Sequence, residues 1–474
     1  MVFSTPLFLF YFLPVTLGLY YIVPRRLYFW KNLVLLLCSL FFYAWGEPKY
    51  VLLMLFSIMM DYALGLWLER EKTHGGRPRR VLALSVVLNL LLLGFFKYAD
   101  FFIGTINALT GAELPLLHLP LPIGISFYTF QAMSYIVDLY RGDVEVQRDI
   151  VSFGTYVSLF PQLIAGPIVR MRTVAGELRQ REESFEDFGA GVRRFTAGMC
   201  KKVLLANTIG GVWESISGME AASMPVLTAW LGLLAYTFQI YFDFSGYSDM
   251  AIGLGRMFGF HFLENFNYPY ISGSITEFWR RWHMSLSSWF KEYVYIPLGG
   301  NRKGLPRQIR NILIVWLLTG IWHGAGWNFV VWGLYFGAVL ILEKLFLLRC
   351  LNRLPALFRH IYALLLIMLG WAVFAFDSLG SGLGLIRALF GGYGQPLWDG
   401  QSLYLLYSNA LLLVLLAVGS TPLPKRLFDW GAEKLRSRQG IAGAGEILLV
   451  GAGMLLSVAF LVDASYNPFL YFRF

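Results

Sequence analysis

The sequence predicts an all-α polytopic membrane protein, with about eleven transmembrane helices and additional half-helices around a central tunnel. Of its 474 residues, 57% are hydrophobic and 14% are charged, whereas soluble domains carry about 25% charged residues. Apolar runs near the length that a bilayer-spanning helix needs, about 20 residues, recur along the whole chain. A soluble fold is therefore excluded.

The candidate spans are predominantly apolar. They cover residues 2–23, 32–45, 50–68, 81–96, 116–139, 192–208, 225–242, 309–331, 332–348, 361–376, 403–418 and 446–462. Because the first of them lacks a basic leader and a small-residue cleavage pattern, we expect a retained span and no cleaved signal. The shorter segments are expected to be tilted, re-entrant or half-spans, which are tolerated where protein buries them or water reaches them.

The net charge of +10 comes from basic residues in short loops, a pattern typical of cytoplasmic loops. These loops are residues 25–31, 70–80, 170–181, 302–310, 344–359 and 425–438. One span follows the last of them, so we expect the C-terminus on the outer face. The same residues could bind phosphate-rich ligands or anionic membrane lipids, and no nucleic-acid partner is expected. The three cysteines show no paired spacing, so neither a disulfide framework nor a metal site is predicted.

The composition of the chain changes between residues 141 and 308, where polar and charged side chains mix with aromatic residues and glycines. Pro161, Gly166 and Pro167 interrupt an apolar setting, and broken helices of this kind usually line a cavity. We therefore predict one membrane domain over residues 1–474. It would comprise an N-terminal helical bundle at 1–140, a catalytic core with a tunnel at 141–342, and C-terminal helices with an aromatic tail at 343–474.

His323 lies in an otherwise uncharged apolar stretch, residues 312–342. An ionisable group at membrane depth is costly and indicates a functional site, and a histidine there could act as a general base. The alternative is a buried structural histidine bonded to a backbone carbonyl. Gly320, Gly324 and Gly326 allow close backbone approach, which favours a narrow tunnel for an acyl chain or thioester.

His283 follows two tryptophans and two arginines in the segment 278–283. It is predicted to orient or stabilise an acyl group in the tunnel, the alternative being an interfacial histidine within an aromatic belt. Arg280, Arg281 and Arg302, with Trp279 beside them, could bind the phosphates of a donor. Their alternative role is anchoring on the cytoplasmic side.

Asp243 and Asp249 lie near an apolar span and need partners. They could orient a histidine, or form ion pairs with Arg256 or with the arginines next to the tryptophans; the structural pairing is favoured. The last six residues, 469–474, are aromatic apart from one leucine and one arginine. Composition alone favours an interfacial anchor, while the alternative is that Tyr471 carries an acyl group on its phenol oxygen.

Several segments together resemble the bacterial alginate O-acetyltransferase branch of the membrane-bound O-acyltransferase family. The segments that carry the resemblance are residues 1–4, 161–168, 242–249, 265–270, 278–283, 295–301 and 320–324. The resemblance covers essentially the whole chain and is most specific in its middle.

The resemblance implies a role for individual residues. The family's defining catalytic histidine corresponds to His323, its second histidine to His283, and the proposed acyl relay to Tyr471. It also implies that no cofactor is permanently bound and that a cytosolic acetyl thioester, most simply acetyl-CoA, is the donor, with its phosphates near Arg280 and Arg302. The acetyl group would pass from Tyr471 to a hydrolase-like acetyltransferase partner outside the bacterial inner membrane, and then to a polysaccharide acceptor.

Three other functions stay open at this stage. A transporter or flippase for a glycolipid or polymer precursor would account for the spans, glycines and basic loops, but not for the two histidines or the tail. A related acyltransferase acting on a lipid or peptide hydroxyl would need His323 but not Tyr471. A non-catalytic scaffold would need neither residue. Alginate, cellulose, peptidoglycan, another exopolysaccharide and teichoic acid are all consistent acceptors.

Overall fold

The computed structural model describes residues 1–164, 166–434 and 439–463, together with Asn467 and Leu470. Within these parts every regular element is a helix, so the predicted all-α class is confirmed. The chain forms two compact units, Met1–Phe195 with Tyr247–Leu263 and Thr196–Gly246 with Glu264–Phe474. The predicted limits at residues 140 and 342 stay a prediction.

The N-terminal half of the chain begins with long apolar helices and continues with shorter ones. The helices are α1 (Leu13–Ile22), α2 (Tyr28–Gly46), α3 (Val51–Thr73), α4 (Pro78–Thr110), α5 (Ile125–Arg141), α6 (Ile150–Ser158), α7 (Phe160–Leu163), α8 (Met171–Arg179) and α9 (Phe185–Cys200). Local chemistry sets their ends. The Asp149 carboxylate accepts hydrogen bonds from the first free amides of α6, and α5 ends at Gly142 in the left-handed conformation.

The described part of the C-terminal half of the chain contains twelve further helices. Its helices are α10 (Thr208–Ser217), α11 (Val226–Met257), α12 (Ile275–Arg281), α13 (Met284–Phe290), α14 (Leu305–His323), α15 (Trp327–Leu342), α16 (Leu348–Leu351), α17 (Ala356–Phe374), α18 (Leu379–Leu389), α19 (Gly400–Gly419), α20 (Leu423–Lys434) and α21 (Gln439–Asp463). Wider helical turns at Lys201–Asn207, Lys291–Tyr295 and Glu343–Leu347 extend α9, α13 and α15.

In the part of the chain that the structure describes, seven helices are long and apolar enough to cross a membrane. They lie at Tyr28–Gly46, Val51–Thr73, Pro78–Thr110, Trp327–Leu351, Ala356–Phe374, Gly400–Gly419 and Gly443–Asp463. Shorter apolar helices lie at Phe8–Ile22 and Leu379–Leu389. The chain is therefore a multi-pass membrane protein.

Two predicted span boundaries are wrong. The spans at 309–331 and 332–348 were divided after residue 331, but α14 ends at His323 and α15 begins at Trp327. Glycine is a poor helix former, and two of the three linking residues are Gly324 and Gly326, both with extended backbone. The span at 116–139 is also too long, because residues 111–124 form no helix; prolines 115, 120 and 122 interrupt that stretch.

Candidate active site

One cavity within the second unit collects four of the seven predicted site residues. Its volume is about 250 Å³, and those four residues are Trp279, Arg280, His283 and His323. Further lining side chains are Trp282, Leu286, Ser287, Phe290, Lys291, Tyr295, Ile312, Val315, Trp316, Thr319 and Leu340. Two histidines that are forty residues apart in the sequence therefore share one largely apolar chamber.

His323 occupies the last position of α14, where the glycine-rich break exposes its ring to the cavity while 8% of the residue stays accessible. Aromatic rings surround it: its centroid lies 5.0 Å from Trp332 and 5.3 Å from Phe374, both nearly perpendicular. Packing of this kind fixes the orientation of the imidazole plane.

The position of His323 depends on a close crossing of α14 and α15. A Cβ atom on Gly320 would overlap the Phe329 carbonyl oxygen, and one on Gly333 would overlap the Trp316 carbonyl oxygen. The two backbones can therefore approach only because both positions are glycine. The predicted role of Gly320 as a site of close backbone approach is confirmed.

His283 joins α12 to α13 with a left-handed backbone, φ 45°. Asn265 holds this turn: its backbone carbonyl accepts the Met284 N–H at 2.9 Å and its side-chain oxygen accepts the Ser285 N–H at 3.1 Å. Because a backbone N–H can only donate, the Asn265 atom that it meets is the amide oxygen. The His283 ring is thus presented by a short, fully hydrogen-bonded turn.

The same Asn265 oxygen sets the tautomer of His283. It lies 3.2 Å from the imidazole Nδ1, and since an amide oxygen only accepts, Nδ1 carries the proton. The opposite nitrogen, Nε2, is buried and has no hydrogen-bond partner among the described residues. His283 therefore presents a lone pair that can accept a hydrogen bond from a ligand.

His283 lies outside the helices that are long enough to cross a membrane, and it is 1% exposed. Burial lowers the pKa of its imidazole to about 3, because the charged form would lose its hydration. The ring is neutral at neutral pH, so it can accept a hydrogen bond but is a weak base.

A buried carboxylate on the extension of α15 fixes the start of α12. Glu343 accepts hydrogen bonds from the backbone amides of Ile275 at 2.7 Å and Thr276 at 2.8 Å, and from the Thr276 hydroxyl at 2.6 Å. The Tyr362 hydroxyl donates to the same carboxylate. Negative charge at a helix N-terminus is stabilising, so Glu343 ties the segment that carries Trp279, Arg280 and His283 to α15.

Trp279 and Arg280 occupy the last turn of α12. The Trp279 ring packs edge-on against Trp316, with centroids 4.7 Å apart, and its buried indole Nε1 has no hydrogen-bond partner among the described residues. Arg280 is exposed, as is Lys291, and both line the cavity. The cavity thus opens beside two cations and presents one unused N–H donor inside.

Arg281 and Arg302 are not among the described residues that line this cavity. The Arg281 guanidinium pairs with Glu277 at 2.9 Å and donates to the Asn267 carbonyl at 3.1 Å. Arg302 is exposed on the segment before α14. Their predicted role in binding the donor's phosphates stays a prediction.

The favoured role of the two aspartates, structural pairing, is confirmed, although with other partners than those considered. Asp249 lies 2.7 Å from Arg194, and Asp243 lies 2.6 Å from Lys202. Each pair lies within one compact unit, Asp249–Arg194 in the first and Asp243–Lys202 in the second. The Asp243–Lys202 pair is almost completely buried, with exposed side-chain fractions of 3% and 1%.

Tyr471 lies outside the described residues, and its role stays a prediction. Its sequence neighbours Asn467 and Leu470 are described. The Leu470 N–H donates to the second carboxylate oxygen of Asp243 at 3.0 Å, and Asn467 accepts from the Asn207 amide at 3.1 Å. The described part of the tail therefore meets the buried ion pair.

Sequence reasoning missed three residues that the structure places at key positions, namely Asn265, Glu343 and Lys202. Two of them carried a usable signal. Lys202 lies within the predicted span 192–208 and Glu343 within the predicted span 332–348, and a charged side chain inside a span indicates a specific partner. Asn265 belongs to one of the recognised segments, but nothing local indicated that it would meet a histidine eighteen residues later.

The comparison with known proteins agrees with this geometry. The model of the membrane-bound O-acyltransferase family matches residues 146–375, which include every residue that lines the cavity. The chain is 40% identical to a probable alginate O-acetylase, AlgI, of Azotobacter vinelandii, over 100% of both chains.

More distant relatives act on other polymers. The chain is 36% identical to a peptidoglycan O-acetyltransferase of Helicobacter pylori, over 84% of this chain and 81% of the relative. It is 28% identical to a teichoic acid D-alanyltransferase of Bacillus subtilis, over 47% and 59% of the two chains. By its full-length similarity and by the family match over the cavity, the chain belongs to the membrane-bound O-acyltransferase family and is an acyltransferase.

Proposed function

We propose that this acyltransferase moves an acetyl group from a cytosolic thioester, most simply acetyl-CoA, across the bacterial inner membrane for O-acetylation of an extracytoplasmic polysaccharide such as alginate. The observation that carries the proposal is the shared cavity, which holds His323 and His283 beside Trp279 and Arg280. The names of the relatives, which specify O-acetylation of alginate and of peptidoglycan, support the acetyl group and the polymer acceptor.

The size of the cavity indicates how much of the donor enters. Pockets that enclose a drug-sized ligand measure about 300–1,000 Å³, and this one measures about 250 Å³. The acetyl thioester and the adjoining thiol arm fit such a space, whereas a complete nucleotide thioester does not. The phosphates then stay outside, near the exposed Arg280 and Lys291, and we expect Arg302 to contribute to their binding.

The first chemical step is transfer of the acetyl group to the phenol oxygen of Tyr471. His323 removes the phenolic proton, the phenolate oxygen attacks the thioester carbonyl carbon, and the carbon–sulfur bond breaks. The thiolate leaves and takes the proton back from the imidazolium. The Nε2 atom of His283 accepts a hydrogen bond and so orients either an N–H group of the thioester substrate or the attacking hydroxyl. The Trp279 N–H can donate a hydrogen bond to a carbonyl of the thioester substrate.

The second step takes place on the outer face, where we place the C-terminus. The acetyl ester of a phenol remains transferable because phenolate is a good leaving group. A hydroxyl of a hydrolase-like acetyltransferase partner attacks the ester carbonyl, the tyrosine leaves and is reprotonated, and the partner then acetylates the polymer. The acetyl group crosses the bilayer in this way while the nucleotide stays in the cytosol.

The proposal is tested by the mass of the C-terminal peptide after the purified full chain is incubated with acetyl-CoA. We expect one acetyl group on Tyr471 in the wild type and none in His323→Ala, because the base is lost. The matched control is His74→Ala, since His74 is exposed at the end of α3 and should leave the adduct unchanged.

Two results would contradict parts of the proposal. If the wild type binds acetyl-CoA but forms no adduct, the acetyl group passes directly to a partner or acceptor without Tyr471. If it neither binds acetyl-CoA nor forms the adduct, the donor is a different thioester, such as one on a carrier protein.

A further inference from the structure

The last described residues of the chain contact a buried ion pair formed by Lys202 and Asp243. Lys202 lies on the wide turn after α9, and Asp243 lies on α11. Their charged atoms are 2.6 Å apart, and the Lys202 ammonium also donates to the Asn207 side-chain oxygen at 2.8 Å. No step of the acyl transfer described above uses either charge.

The described tail residues supply contacts to this cluster. The Leu470 N–H reaches the Asp243 carboxylate at 3.0 Å, and Leu470 is 7% exposed. Three residues earlier, Asn467 accepts from the amide of Asn207, the same residue that accepts from Lys202. The tail therefore meets both members of the ion pair, one directly and one through Asn207.

The packing of α21 brings the tail to this place. Gly453 approaches Cys200 so closely that an added Cβ would lie 3.0 Å from the sulfur, and the Ser457 hydroxyl lies 3.6 Å from the same sulfur. Cys200 is the residue directly before the turn that carries Lys202. The last helix is therefore aligned along the segment that holds the cluster, independently of the tail contacts.

The energetics favour a site that uses the tail. A buried ion pair offsets its desolvation only when further hydrogen bonds satisfy the remaining lone pairs. One carboxylate oxygen of Asp243 meets Lys202, and the other meets the Leu470 amide. A hydrogen bond to a charged acceptor is stronger than one between neutral groups, so the Leu470 amide contributes substantially to holding the described part of the tail.

We propose that the Asp243–Lys202 pair is a docking site for the chain's own C-terminal segment and that, by holding the Leu470 amide, it positions the next residue, Tyr471, for acylation. The positioning of Tyr471 for acylation rests on the proposed function, whereas the docking of the tail does not. Asp243 and Lys202 are positioning residues in this scheme, because they act through the tail and not on the donor.

The test removes the amide without disturbing the ion pair. Leu470→Pro has no N–H at this position, and Leu470→Met is the matched control because it keeps both the donor and an apolar side chain of similar volume. Asp243→Asn is a second variant, which weakens the acceptor but leaves Lys202 without its charged partner.

Two quantities are measured on the full chain, namely hydrogen exchange of the peptide after residue 463 and acetylation of that peptide by acetyl-CoA. Losing a hydrogen bond to a charged group corresponds to roughly a tenfold or greater increase in exchange rate. We expect this increase in Leu470→Pro and Asp243→Asn, together with a loss of acetylation, and no change in Leu470→Met.

The outcomes separate the docking site from the acyl relay. Exchange in Leu470→Pro at the wild-type rate would overturn the docking site, whatever happens to acetylation. Faster exchange with undiminished acetylation of the peptide would support docking but overturn its role in positioning Tyr471. Faster exchange with loss of peptide acetylation would support both docking and the positioning of Tyr471.

Discussion

At the scale of single residues, the chemistry depends on how one histidine is held. A non-glycine residue in the left-handed region costs about 1–3 kcal/mol, and His283 adopts this conformation with φ 45°. The cost is offset by hydrogen bonds from the next two backbone amides to Asn265. The strained turn and the tautomer of His283 thus have the same cause, a single buried asparagine.

We expect Asn265→Ala to lower the turnover number about tenfold to a hundredfold, the cost of leaving buried donors unsatisfied, with little change in KM for the donor. The reason is that Nδ1 of His283 loses its acceptor and the lone pair on Nε2 is no longer fixed. The measurement is steady-state acetyl transfer by the purified protein.

The matched control is Asn267→Ala, since Asn267 is exposed two residues away and accepts from Arg281 through its backbone carbonyl, which the substitution keeps. Equal effects of the two substitutions, or an effect of Asn265→Ala on the yield of folded protein alone, would show that Asn265 is only structural.

At the scale of elements, the break between α14 and α15 creates the site. It ends one helix at His323 and lets the next return alongside it, with Gly320 and Gly333 at the closest approach. The predicted continuous span 309–331 would have buried His323 in mid-helix, where its backbone groups are satisfied but its ring position is set by one helix alone. The break gives the ring neighbours from α15 and α17 as well.

Gly320→Ala should destabilise the protein by about 1–3 kcal/mol, as overpacking does, and should reduce acetyl transfer, because the added methyl group forces α15 away from α14. Thermal unfolding in detergent and the transfer rate are the measurements. Gly94→Ala is the matched control, since nothing lies within 4 Å of an added Cβ there, and alanine is the better helix former. A Gly320→Ala protein as stable and as active as Gly94→Ala would refute the close crossing.

At the scale of the whole molecule, each compact unit contains its own buried ionic cluster. In the first unit, Lys31 and Glu183 lie 2.6 Å apart with 1% and 3% of their side chains exposed. The hydroxyl of Tyr20 donates to Glu183 and accepts from Arg181, and Arg181 also donates to Asn32. The network joins α1 and α2 to the segment that precedes α9.

Glu183→Gln should lower the stability of the protein by about 3–5 kcal/mol, because breaking a buried pair leaves an uncompensated charge. Here Lys31 would face a neutral amide. The melting temperature in detergent checks this, with Glu182→Gln as control because Glu182 is exposed. Equal melting temperatures would mean that water or lipid headgroups reach the cluster and compensate the charge.

The sequence predicted most of the architecture and part of the site. Hydropathy identifies spans because a lipid environment requires apolar surface over a known length, and this physics is local. His323 and His283 were found for the same reason, as ionisable groups in apolar surroundings. Membership in an acyltransferase family also decides between the enzyme and the transporter interpretations.

The predictions that were wrong concerned features that depend on contacts between residues far apart in the sequence. Hydropathy could not find the helix break at Gly324, because glycine and alanine are apolar and the run continues through it. The pairing of Asp243 with Lys202 and not with Arg256 joins α9's extension to α11, over forty residues. Charge alone gives no reason to prefer one cation over another.

The sequence by itself determined the all-α membrane class and the family, and it identified the two histidines as site residues. Composition, hydropathy and short motifs suffice for this because they reflect what a lipid environment and a reactive site require locally. Only the tertiary structure decided that His283 and His323 share one cavity, that Asn265 sets the tautomer of His283, and that Glu343 fixes the start of α12. Each of these depends on which helices lie side by side, and helix packing is decided by side-chain shape and close approach over the whole chain.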